Sequence, residues 1–153
     1  MSAIQKCTLV PSRCFEEGDA RCILGELYPL AESETVSFLE IPRYDAVFLY
    51  STPDGQAPVL YYLVTGLDAC PEYNKILLHY GDGILNLAIA QGGRLLLANS
   101  YPAPDFTTAE YYLFLAVKSL QINPEVSTVT VKSPLSPEEE LSLYRYFKSV
   151  EQV

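Results

Sequence analysis

The stretch from Lys75 to Tyr101 constrains the fold more than any other part of the chain. Runs of β-prone residues lie on either side of the loop Gly81-Asp82-Gly83, and a further run follows Gly92-Gly93. Glycine reaches positive φ angles without steric cost, so both loops are typical of tight turns between antiparallel strands. The pattern predicts three consecutive strands, which are Lys75–Tyr80, Ile84–Gln91 and Arg94–Ser100.

Two helices and one more strand are predicted after these three strands. They are the helix Thr108–Leu120, the strand Val126–Lys132, and a last helix from Ser136 to about Val150. Thr107 and Glu110 have the spacing of a capping box, in which each side chain bonds the other residue's exposed amide. Ser136 can cap the last helix, and the acids that follow suit the positive end of its dipole. Residues 75 to 150 therefore have the predicted order βββαβα.

The first half of the chain alternates strands and helices less regularly. The predicted elements are the strand Cys7–Val10, a helix from Arg13 or Glu16 to Leu27, the strands Thr35–Ile41 and Asp45–Ser51, and the helix Ala57–Leu67. These patterns divide the chain into a first subdomain over residues 1–74 and a second over residues 75–153. One compact unit is the alternative to this division.

Composition and charge exclude several classes of function. Of the 153 residues, 49% are hydrophobic and 19% are charged, which is a globular balance. With 19 acidic and 10 basic residues, the net charge of −9 repels phosphate backbones, so we expect no nucleic-acid partner. The apolar runs are too short to cross a bilayer, and the N-terminus lacks the apolar core of a secretory signal. We therefore expect a cytoplasmic protein without a membrane partner.

The cysteines and the single histidine do not form a recognisable metal or catalytic pattern. Cys7, Cys14, Cys22 and Cys70 lack C-x-x-C spacing, and His79 is the only histidine in the sequence. We interpret the cysteines as buried or half-buried thiols; a reactive Cys14 beside Arg13 is the alternative. No metal, no catalytic residue and no cofactor is predicted from these residues.

The helix Thr108–Leu120 is apolar on nearly every side. One face carries the apolar residues Ala109, Leu113, Ala116, Val117 and Leu120, and the aromatic residues Tyr111, Tyr112 and Phe114 occupy much of the rest. A helix of this kind is usually covered on two sides. A partner subunit is one possible cover, and burial within a single domain is the other.

Four segments together resemble a known family of proteins. They are TLVPSRCF (Thr8–Phe15), DAVFLYS (Asp45–Ser51), GGRLLLANSY (Gly92–Tyr101) and FTTAEYYLFLAVKSLQINPE (Phe106–Glu125). Their sequence resembles an uncharacterised Bacteroidetes family, a domain of unknown function with an actin-like ATPase fold. The resemblance implies an α/β fold in which a mixed sheet and flanking helices form a ribonuclease-H-like half. Members are longer before the equivalent of Thr8, so the resemblance implies a truncated chain with an open strand edge.

The block from Ile76 to Tyr101 also resembles the second phosphate-binding hairpin of actin-type proteins. In that hairpin an aspartate positions magnesium or water, while glycine amides and a hydroxyl hold phosphates. The resemblance therefore makes Gly81, Asp82 and Gly83 the candidate cofactor-binding residues. Aligned on the loop glycine, however, the aspartate position is His79, and the hydroxyl positions are Ile84 and Leu85. Magnesium prefers oxygen ligands, so these residues do not support ATP hydrolysis by the usual arrangement.

Two functions remain as hypotheses at this point. The first is a non-catalytic protein with an actin-like fold, a pseudo-ATPase that acts through protein–protein contacts or as a homo-oligomer. The second is a nucleotide-binding protein that holds ATP at Gly81–Gly83 with weak or no hydrolysis. An unrelated enzyme using Cys14 or Cys70 is a third alternative without a motif to support it.

Overall fold

The computed structural model describes residues 6–152, which form two compact units over residues 6–62 and 63–152. Residues 1–5 and 153 lie outside the described residues. They include the outer limits of the two predicted subdomains and the start of the N-terminal segment that was considered for a secretory signal. The helix α2 (Val59–Gly66) spans the division between the two units. We refer to them below as the N-terminal unit and the C-terminal unit.

A three-stranded antiparallel sheet forms the centre of the N-terminal unit. Its strands are β1 (Lys6–Pro11), β2 (Ser37–Ile41) and β3 (Ala46–Ser51), in the order β1-β3-β2. All six residues of β3 are buried, as expected for a central strand made mostly of apolar residues. The connection from β2 to β3 turns through Asp45, whose φ of 50° lies in the left-handed region. The strands predicted in this half are confirmed to within two residues at each end.

The helix predicted from Arg13 or Glu16 to Leu27 is wrong at its start. The helix α1 covers only Ala20–Leu27 and follows two short 3-10 turns. Phe15 and Glu16 between those turns are extended, with φ near −116° and −121°. The ring of Phe15 packs against that of Phe38, with centroids 5.1 Å apart, beside the buried residues of this sheet. This tertiary contact, together with Gly18 in the second turn, outweighs the approximate helical spacing.

A five-stranded mixed sheet forms the C-terminal unit, in the order β6-β5-β4-β7-β8. The strands are β4 (Asn74–Gly81), β5 (Ile84–Gln91), β6 (Arg94–Pro102), β7 (Thr128–Val131) and β8 (Ser149–Gln152). The first three pair antiparallel, whereas β7 pairs parallel to β4, and β8 parallel to β7. The predicted order of three strands, helix, strand and helix is confirmed, and the sheet gains a further strand at its end.

The last strand replaces part of a predicted helix. The helix α4 covers Pro137–Tyr144 and begins with the capping box of Ser136 and Glu139, but it does not continue to Val150. Val150 instead lies on β8, where it pairs with Val129 of β7. Val150 and Phe147 are both buried. The apolar residues after Tyr144 reach the core only if the chain leaves the helix and extends along the sheet.

The helix α3 (Phe106–Ser119) covers one face of this sheet. Its buried residues Ala109, Leu113, Ala116 and Val117 belong to the core that also contains alternate residues of β4 and β5. These four residues confirm the predicted apolar face. The predicted cap at Thr107 is wrong, because α3 begins two residues earlier, at Phe106, and the Asp105 carboxylate accepts a hydrogen bond from the Thr108 amide at 2.8 Å.

Glu110, which the capping-box pattern assigned to the start of α3, reaches α4 instead. Both of its carboxylate oxygens accept hydrogen bonds from the Ser142 hydroxyl, at 3.0 and 2.8 Å. Burial raises the pKa of Glu110 above its usual value, and it outweighs the opposing effects of the Ser142 hydrogen bond and the charge of Arg145. The ionised carboxylate therefore opposes folding at neutral pH, although its hydrogen bonds help to position the two helices.

We expect Glu110→Gln to stabilise the protein at about pH 8 and to lose that advantage at about pH 4, below the ordinary pKa of 4.5. The penalty on the native carboxylate shrinks as the pH falls through its raised pKa, and it vanishes where the carboxyl group is protonated in both the folded and the unfolded chain. Urea denaturation at the two pH values measures the difference. Glu138→Gln removes an equal charge from an exposed site and serves as the control. Equal behaviour of the two variants would contradict the assignment.

Candidate functional site

The loop between β4 and β5 is the candidate site that the sequence predicts. Gly81 pairs with Ile84, so only Asp82 and Gly83 lie between the strands. Their φ angles are 53° and 73°, both in the left-handed region. A two-residue loop with positive φ at both positions is a type I′ turn, for which Asp-Gly is among the preferred sequences. Asp82 therefore forms the turn, with its side chain exposed at the tip.

The chain that leaves β6 supports this turn. The amide of Ala103 donates to the carbonyl of Gly83 at 2.8 Å, and the hydroxyl of Tyr80 donates to the carbonyl of Ala103 at 2.8 Å. The amide of Tyr80 in turn donates to the buried Ser133 hydroxyl at 2.9 Å. Hydrogen bonds from Ala103 on one side and to Ser133 on the other thus stabilise this conformation of the turn.

The side chains next to the turn have different chemistry from the phosphate-binding pattern. Leu85, at one predicted hydroxyl position, is 1% exposed within the core, and Ile84 is half-buried. Neither offers an oxygen to a phosphate. Asp82 places a negative charge at the loop tip, where it repels an approaching phosphate unless a cation lies between them.

His79, at the predicted aspartate position, lies in a row of polar side chains across three strands. It pairs with Asn86 on β5, and Asn86 pairs with Ser100 on β6. The Ser100 hydroxyl donates a hydrogen bond to the Asn86 carboxamide oxygen. The Nδ1 atom of His79 is buried and has no hydrogen-bond partner among residues 6–152. Sequence reasoning missed this row, which becomes visible only once the register of the strands is known.

The part of the chain that the structure describes contains no cluster of metal ligands. Within residues 6–152, no three His, Cys, Asp or Glu side chains lie close enough together to hold a metal ion. The four cysteines are free. Burial raises the pKa of the Cys7 thiol to about 11 and raises that of Cys70, so both are thiols at neutral pH. Cys14, the predicted alternative, is exposed.

Exposed aromatic and aliphatic side chains lie on the two helices of the C-terminal unit. Tyr111 is 61% exposed and Leu115 is 50% exposed on α3. On and just after α4, the exposed residues of this kind are Leu141, Tyr144 and Tyr146. The rings continue inward, because Tyr111 contacts Tyr112 and Tyr112 stacks on Tyr101 of β6 with ring centroids 4.8 Å apart. The sequence indicated an excess of aromatic residues on α3 but not this continuous array.

We expect Gly83→Ala to destabilise the protein by about 1–2 kcal/mol, because a side chain disfavours the left-handed conformation. We expect Asp82→Asn to leave the free energy of unfolding within about 0.5 kcal/mol, because Asn-Gly suits the same turn. Urea denaturation of both variants measures these changes. If the alanine variant is as stable as the native chain, the turn does not impose the constraint described above.

Among residues 6–152, no helix is both long enough and apolar enough to span a membrane. The sequence matches the family described as "Protein of unknown function (DUF3822)" over residues 3–150. No curated protein matches this chain.

A solved structure from Bacteroides thetaiotaomicron VPI-5482 is similar to this chain. It is described as a protein with actin-like ATPase fold and unknown function. The two are 19% identical with a TM-score of 0.76, and the match covers 98% of this chain and 65% of that chain. The predicted mixed α/β fold of the actin-like type is confirmed, and the neighbour's organism agrees with the expected Bacteroidetes family. The chain spans about two-thirds of that neighbour's length, and it belongs to the DUF3822 family of proteins of unknown function.

Proposed function

We propose that this protein is a non-catalytic member of its family that acts through protein–protein contacts or self-association. The observation that carries the proposal is the chemistry beside the β4–β5 turn. The positions that would need a carboxylate and a hydroxyl hold His79, Ile84 and Leu85. The turn keeps a hairpin shape while its neighbours offer no oxygen ligand for a metal-bound triphosphate.

The arrangement of the turn supports the same conclusion. Magnesium takes carboxylate, carbonyl, water and phosphate oxygens as ligands, and an imidazole nitrogen is a poor substitute. His79 also has its Nδ1 atom buried within the sheet. Asp82 is the acidic residue nearest to His79 in the sequence and is the other candidate magnesium ligand. Its left-handed backbone and its exposed side chain are explained by its place in the turn. Catalytic residues are therefore not assigned in this proposal, and no cofactor is included.

The exposed side chains on α3 and α4 support a role in contacts with other proteins. Tyrosine combines a large apolar area with a polar tip and is enriched at protein interfaces. Tyr111, Tyr144 and Tyr146 are each at least 45% exposed. A net charge of −9 favours partners that are basic or neutral over nucleic acids. The proposal also places the protein in the cytoplasm, because free thiols are typical of a reducing compartment.

We expect about 1 mM ATP with excess magnesium to leave the melting temperature unchanged within about 1 °C. A nucleotide present at about a hundred times its dissociation constant would add about 2.7 kcal/mol to the free energy of unfolding. Thermal denaturation with and without ATP measures the difference. ADP–magnesium and magnesium alone serve as controls for product binding and for the metal.

A shift with ATP–magnesium that is absent with magnesium alone would overturn the proposal and support the nucleotide-binding alternative. In that case Asp82→Asn and His79→Ala would show whether the binding involves this turn. Phosphate release from ATP at a rate above the buffer background would likewise contradict a non-catalytic protein.

A further inference from the structure

We propose that the edge strand β6 pairs antiparallel with β6 of a second copy, and that Tyr111 and Leu115 of α3 pack across the same two-fold axis. The inference rests on the proposed function and identifies its partner. The proposed surface consists of β6 (Arg94–Pro102) together with these two side chains, and we call it the β6 edge surface.

The register shows which backbone groups of β6 point away from the sheet. The two-residue turn closes on the pair Gly81 and Ile84, and a pair that closes such a turn is hydrogen-bonded. Hydrogen-bonded pairs alternate along an antiparallel ladder, so alternate residues of β5 from Leu85 onward bond β6. Their partners on β6 are Tyr101 and Asn99. Ala98 and Ser100 therefore direct their amides and carbonyls outward.

The hydrogen bonding of Ser100 agrees with this assignment. Its amide donates to the side chain of the preceding residue, Asn99, at 2.9 Å. The Asn99 side chain thus occupies a donor that a neighbouring strand would otherwise use. Among residues 6–152, β6 lies at the end of the five-stranded sheet. Its register shifts at Leu96, so the regular stretch that can pair with a second strand runs from Leu97 to Pro102, about the usual length of a strand.

The β6 edge surface lacks the negative charge that dominates the rest of the chain. From Leu95 to Pro104 the sequence is LLLANSYPAP, without an acidic or basic residue. A protein with a net charge of −9 repels its own copies over most of its surface, so an uncharged edge is where two copies can approach. Two-fold symmetry then matches the surface to itself.

The charges at the two ends of β6 are complementary in the antiparallel arrangement. Arg94 begins the strand, is exposed, and forms no ion pair among residues 6–152. Asp105 is exposed beyond the other end and caps α3. A two-fold axis near Ala98 and Asn99 brings Arg94 of one copy toward the Asp105 end of the other. A parallel arrangement would place like charges together, so the charges favour antiparallel pairing.

The side chains on α3 extend the apolar contact beyond the strand. Tyr112 stacks on Tyr101 of β6 and also contacts Tyr111, so the exposed rings are continuous with the strand edge. Leu115 follows one helical turn after Tyr111 and is 50% exposed. Strand pairing supplies backbone hydrogen bonds, and these side chains supply apolar area that lies beside them.

Sedimentation velocity of the purified chain over about 1–300 µM tests the proposal. The native protein should change from monomer to dimer over this range. Leu115→Glu places a charge at the contact twice because of the symmetry, and it should raise the dimer dissociation constant about 100-fold. Leu141→Glu is the matched control, since Leu141 is 59% exposed on α4 and outside the β6 edge surface. It should leave the dissociation constant unchanged.

Two further variants test the backbone pairing itself. Ala98→Pro removes an outward amide and should abolish the dimer, whereas Asn99→Ala releases the Ser100 amide and should tighten the dimer severalfold. Far-UV circular dichroism and a cooperative thermal transition establish that each variant is folded. If Ala98→Pro does not fold, Leu115→Glu still decides the matter, because it leaves the sheet unchanged.

A native chain that stays monomeric at 300 µM would overturn the inference, and so would a dimer that Leu115→Glu and Leu141→Glu affect equally. Dimerisation that is lost in Leu115→Glu and strengthened in Asn99→Ala would support it. These outcomes are separate from the test of the proposed function. A monomeric protein without an ATP-dependent shift would retain the non-catalytic assignment and lose only this partner, whereas an ATP-dependent shift would contradict the assignment whatever the oligomeric state.

Discussion

The pairing of β4 with β5 across the Asp82–Gly83 turn is the constraint on which the C-terminal unit depends. Successive residues of a strand point to opposite faces, so a slip of one residue can bring His79 or Asn86 onto the core face in place of Leu78 or Leu87. Two consecutive left-handed residues allow only one closure of the hairpin. Once this register is set, β6 follows on one side, β7 and β8 follow on the other, and α3 covers the apolar face.

The same constraint bears on function. A turn of two residues, closed directly by backbone pairing and supported by Ala103 and Tyr80, leaves little of the loop free to surround a ligand. Leu85 belongs to the apolar core that the register creates, so this position serves packing. The hairpin thus fixes the strand register, while its side chains are poorly suited to bind phosphate. The exposed surfaces of the unit are therefore better suited to a function than this turn is.

The sequence predicted the strands well, because turn residues and a period of two are local signals, whereas the actin-like fold was expected from the resemblance to a family. The three consecutive strands, the buried face of α3 and the serine cap at Ser136 all follow from residues close together in the chain. The errors come from distant contacts. Phe15 leaves a helical pattern to pack on Phe38, and Val150 leaves one to join the sheet beside Val129. Glu110 bonds Ser142, 32 residues away, and no local pattern indicates it.

At the candidate site, the sequence predicted the chemistry of the loop better than its surroundings. The absence of a carboxylate at His79 is visible in the alignment of the loop, and Asp82 as a turn former follows from its glycine neighbours. The row from His79 through Asn86 to Ser100 depends on two strand registers, as does the outward direction of the amides on β6. Such features require the sheet to be assembled first.

Because Cys7 is buried, its alkylation can be used to detect opening of the N-terminal sheet. Cys7 lies on β1 opposite Tyr50 of β3, and its carbonyl accepts a hydrogen bond from the Tyr28 hydroxyl at 3.2 Å. Its protonated thiol reacts slowly with an alkylating reagent, whereas Cys14 and Cys22 are accessible in the folded state. Alkylation of Cys7 therefore requires β1 to separate from β3. Its rate follows local unfolding of this strand.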